Sequence, residues 1–137
     1  MEALNHSSRK HALLSASKAD RWINCTPSAR LEEKVEETGK PSKYAEEGTL
    51  AHEMAECYLR ARFRITPADV ASAELRKLKS NNLYTEAMDE PVMDYCHYVT
   101  EQYAEAQLKI KDALVLLEER LDFSAWVEQG SGTGDAC

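Results

Sequence analysis

Glu47-Gly48-Thr49-Leu50-Ala51-His52-Glu53-Met54-Ala55-Glu56 carries the pattern from which the rest of this chain can be interpreted. Leu50, Met54, Cys57 and Ala61 recur at three or four residues, which predicts a helix from Glu46 or Glu47 to about Phe63 with one apolar stripe. Acidic groups stand at its start, where the helix dipole favours them, and the Gly48-Thr49 pair is expected to open it. His52 and Glu56, four residues apart, fall with Leu59 on an adjoining face, so an imidazole and a carboxylate can converge on one ion. A second candidate lies far along the chain, where Gly132-Thr133-Gly134-Asp135 combines glycines that let the backbone turn tightly with an acid to present at the mouth of a sheet. The same residues also fit a histidine satisfied by hydrogen bonds on a half-buried helix and a plain Gly-rich turn.

Working outward, residues 1–11 read as a frayed, disordered tail. Ser15 or Ser17 can cap a short helix through Trp22 and Ile23, with Leu14, Ala19, Trp22 and Ile23 as its apolar side. Pro27 suits the first turn of a second helix reaching Glu36 or Glu37, and residues 39–44 read as a loop. Thr66-Pro67 ends the third helix and starts a fourth, where Val70, Ala73, Leu75 and Leu78 form a weaker apolar side before Ser80-Asn81-Asn82 breaks it. From Met88 to Lys111, Val92, Tyr95, Cys96, Val99, Tyr103, Ala106 and Ile110 keep helical spacing, the longest such run in the chain. Residues 113–121 lose that period and read as a strand, Trp126-Val127 as the start of another, and the Gly-rich turn leads into a third. The expected fold class is α+β, mainly helical, as one domain: the tail 1–11, a helical lobe 12–112, and first strands 113–137.

Composition narrows the function classes. A chain of 137 residues can bury a core without disulfides, and with 30% charged residues it contains no apolar run near the roughly 20 that a membrane span needs. The N-terminus lacks the apolar core of a secretory signal, so a soluble, cytoplasmic protein with no membrane partner is expected. Cys25, Cys57, Cys96 and Cys137 are scattered singly and are expected as free thiols in or near the core, with no iron-sulfur cluster. A net charge of −7 leaves phosphate binding to two local basic groups, Arg60-Arg62-Arg64 and Arg76-Lys77-Lys79, which equally suit solvated helix faces. Tyr95, Tyr98 and Tyr103 sit at helical spacing, as core and rim residues do. Neither a GxSxG elbow nor a phosphate-cradling Gly-rich loop is present, and Glu56 stands where a zincin would need histidine.

Taken in order, Leu14-Ser15-Ala16-Ser17, Trp22-Ile23-Asn24-Cys25-Thr26-Pro27-Ser28-Ala29, residues 47–56, Glu118-Glu119-Arg120-Leu121-Asp122-Phe123-Ser124 and Gly132-Thr133-Gly134-Asp135-Ala136 resemble phage- and prophage-associated RecB-like nucleases of the PD-(D/E)XK superfamily. The resemblance implies a divalent-metal-dependent DNA exonuclease, in a bacterial or phage-infected cytoplasm, using Mg²⁺ or Mn²⁺. Gly48, Thr49, His52 and Glu56 match its Gly-Thr-x-x-His-x-x-x-Glu helix, which makes His52 a metal ligand and Glu56 a supporting, catalytic carboxylate. Gly132 and Asp135 match its Gly-x-x-Asp strand, which makes Asp135 a catalytic residue and metal ligand. The family's next strand carries (Asp/Glu)-x-Lys and a later helix Gln-x-x-x-Tyr; no residues here match either. The expectation is therefore the N-terminal part of such a nuclease, with a helical lobe and the first strands of a truncated α/β core, inactive alone, with DNA and a partner chain or C-terminal fragment as partners. Two other readings stand beside it: a stand-alone helical module that binds protein or DNA, and a zinc hydrolase using His52, Glu53 and Glu56.

Overall fold

A computed structural model describes residues 14–32, 34, 41–127 and 130–137. The expected tail 1–11, the run of the second helix beyond residue 34 and most of the loop before residue 41 lie outside the described residues. The fold is mainly helical with a small antiparallel sheet, as expected for α+β. The chain divides into two compact units, Met1–Gly39 with Glu118–Asp135, and Lys40–Leu117 with Ala136–Cys137.

In the first unit a 3-10 turn, Ala16–Lys18, leads into α1 (Ala19–Asn24), and α2 follows (Ser28–Glu32). These short helices are tied by polar bonds rather than by burial. Glu32 bridges Lys18 at 2.9 Å and Arg21, and the Trp22 indole donates to the Ser15 carbonyl. Lys18 and then Arg21 hold the Glu32 carboxyl below its ordinary range. Ile23, expected on the apolar side, is 63% exposed.

The second unit holds the core. α3 (Lys43–Arg62) starts earlier than its acidic residues suggest, because Ser42 caps it by accepting from the Ala45 amide. Gly48 and Thr49 consequently lie inside the helix, with the Thr49 hydroxyl donating to the Ala45 carbonyl, and do not open it. Arg64, at φ 58°, supplies a left-handed residue just past the helix end, and the amides of Ile65 and Thr66 turn back to the Arg60 carbonyl. α4 (Ala68–Lys79) packs on α3, and a 3-10 turn, Glu86–Met88, opens α5 (Asp89–Lys109). Leu50, Met54, Ala55 and Leu59 of α3 meet Val92, Cys96 and Val99 of α5, with Leu75 and Leu78 of α4 partly buried against them. Leu59, read as lying off the stripe, is 1% exposed, since α3 is covered from two sides. Val70, expected on the apolar side of α4, is instead exposed, and Ala71 is buried there.

The strand pair is β1 (Leu117–Asp122) and β2 (Ser131–Ala136). Leu116 and Cys137 exchange both backbone hydrogen bonds at 2.8 Å, and the Phe123 amide reaches the Gly130 carbonyl at 3.2 Å. Bonded and non-bonded pairs alternate along a regular antiparallel ladder, so two bonded pairs seven residues apart mean that the ladder is irregular between them, and the left-handed Glu118 lies in that interval. Gly132 and Gly134 lie within β2 itself and not in a turn before it. Trp126-Val127, expected to begin a strand, forms the connecting turn, both amides bonding to the Phe123 carbonyl, and Trp126 is 84% exposed. Gly130 is required by close approach, because a Cβ there would stand 2.6 Å from the Phe123 ring and 2.9 Å from the Val127 carbonyl.

Candidate functional site

Glu118 stands near the start of β1 and Asp135 near the end of β2. A carboxylate oxygen of each lies within 4.8 Å of the other, Glu118 half-buried and Asp135 exposed. Like charges brought close together across two strands repel. Glu118 also adopts φ 51°, one of two left-handed non-glycine residues among those described. A bulky residue held there costs on the order of 1–3 kcal/mol, and such strain collects at functional sites. Two unfavourable features thus coincide at one pair of acids, and a cation accepted by both carboxylates would reverse the first of them.

Each acid is positioned by a neighbour. Leu117 precedes Glu118 and is 8% exposed within the helical core, where Ala136, which follows Asp135, also packs. These two side chains, with the Leu116–Cys137 pair, fix the beginning of one strand and the end of the other. Ser131, buried on β2, accepts from Arg120 at 3.5 Å further along.

The remaining sequence-predicted residues belong to α3. His52 is exposed, its ring edge-on to Tyr95 with centroids 6.5 Å apart, and it lines a pocket between α3 and α5. Glu56 lines a different cavity, between α3 and α4, where Arg60 holds its carboxylate at 3.1 Å while also donating to Thr66. Glu53 shares that cavity with Glu56 and Cys57. The sequence singled out Asp135 as a candidate but gave Glu118, whose carboxylate lies near it, no role. The only available signal was two acids following the apolar run Val115-Leu116-Leu117, and composition does not reveal which of two adjacent glutamates meets Asp135.

The four thiols are free, with Cys25 and Cys137 exposed and Cys57 and Cys96 buried. Burial pushes Cys96 up to about 11, and burial followed by nearby Glu74 raises Cys57. Protonated thiols of this kind are inert core residues.

Fold and acidic pair together define a mainly helical α+β protein whose small sheet presents two carboxylates side by side. A family model described as "Protein of unknown function (DUF2800)" matches residues 11–137, and the chain belongs to that family. No solved structure matches the chain. Among the described residues no helix is long and apolar enough to cross a membrane.

Proposed function

We propose that Glu118 and Asp135 hold one divalent cation, Mg²⁺ or Mn²⁺, that His52 is a metal ligand as its motif match implies, and that the chain is part of a RecB-like DNA exonuclease. The observation that carries the reading is the closeness of the Glu118 and Asp135 carboxylates, with Glu118 held at a left-handed φ. A donor set of one imidazole nitrogen and two carboxylates fits Mn²⁺ well and Mg²⁺ less well. Support for including His52 comes from the sequence, where Gly48, Thr49, His52 and Glu56 match the Gly-Thr-x-x-His-x-x-x-Glu helix of that family. The left-handed residue interrupts the strict alternation of side chains along β1.

The cation, when bound, polarises a phosphodiester and lowers the pKa of a bound water. Glu118 and Asp135 supply the negative charge that retains it, and His52 ligates as the neutral imidazole. Arg60 keeps Glu56 in place at the α3–α4 cavity, so Glu118 takes the role of supporting carboxylate in this proposal. Activation of the attacking water by a lysine lies outside these three groups. DNA, and a segment or chain carrying that lysine, are the partners the reading requires.

Calorimetric titration with Mn²⁺ tests it. Wild type is expected to bind one equivalent, with His52→Ala, Glu118→Gln and Asp135→Asn each weakening affinity about tenfold or more. Absence of binding, or affinity unchanged across all three variants, would contradict the proposal. A second reading, a helical interaction module, is favoured by the exposure of Leu108 at 89% and Leu114 at 67% on the helical unit. Its signature would be a metal-independent complex lost on substituting those leucines with serine.

A further inference from the structure

We draw no further inference here: the strongest candidate, the cleft of about 550 Å³ between α3 and α4, is lined by the carboxylates of Glu53, Glu56 and Glu74 together with the cations of Arg60 and Lys77, and nothing in the structure says which charge an occupant would bear.

Discussion

Glu118 is where a single residue carries most. A glutamate at φ 51° is disfavoured, while glycine enters that region freely. If the carboxylate is retained for binding a cation, Glu118→Gly should separate stability from function. The variant is expected to gain about 0.5–1 kcal/mol in metal-free denaturant unfolding, the relief of strain being partly offset by glycine's greater unfolded-state entropy, and to lose Mn²⁺ affinity. A variant that is both destabilised and unimpaired in binding would point to a packing role instead. His52 and Asp135 could be singled out as candidates because a histidine in an amphipathic helix and an acid after glycines are local patterns. Glu118 could not, because its closeness to Asp135 depends on the pairing of two strands and its strain on one backbone angle. Asp89 offers a separate residue-level test. Lys79 at 2.8 Å and the Tyr84 hydroxyl at 2.8 Å hold its carboxyl below the ordinary range, and the same contacts raise Lys79 and Tyr84. The Asp89 contribution to stability is thus present above the usual carboxylate pKa of about 3.9 and disappears as pH falls through its lower folded value. The Lys79 contribution is present below about 10.4 and disappears as pH rises through its raised value. Thermal melts should show Asp89→Asn less stable than wild type at pH 7, with the difference shrinking below pH 4; a pH-independent difference would exclude this linkage.

At the scale of elements, the helices were readable and the strands less so. The repeat Leu50–Met54–Cys57 announces α3 because burial selects its apolar positions, whereas Leu59 was missed because α4 and α5 together cover a wider arc than one stripe. The start of α3 was missed for a different reason: Ser42, four residues before Glu46, provides the cap, and it stands in a segment rich in loop formers. In the hairpin, Trp126-Val127 has strand-like composition but no partner strand, and the Phe123 carbonyl draws both amides into a turn. Gly130 makes that turn sterically possible. Gly130→Ala should force the Phe123 ring or the Val127 carbonyl to move, a cost of about 1–3 kcal/mol by analogy with overpacked sites. Amide exchange would report it as loss of protection at Phe123 and Trp126, with the protection of α3 retained. Unaltered exchange in the hairpin would show that the close approach is relieved without cost.

For the molecule as a whole, buried apolar residues concentrate on the α3–α4–α5 side, and the free thiols record that distribution. Cys57 and Cys96 lie inside it, each with its Sγ directed to a backbone carbonyl, of Ala71 and Ala55 respectively. Alkylation at pH 8 is expected to modify Cys25 and Cys137 rapidly and the buried pair only at the rate of unfolding, so denaturant should release the last two together; rapid modification of all four would contradict a packed core. The proposed cation centre is tested most directly by adding substoichiometric Mn²⁺ to isotope-labelled protein and following paramagnetic broadening. The result expected is early, selective loss of the amide signals of Glu118 and Asp135, while exposed His97 on α5 survives. Broadening spread evenly over exposed acids and histidines, with Glu118 and Asp135 no more affected than His97, would contradict the metal site.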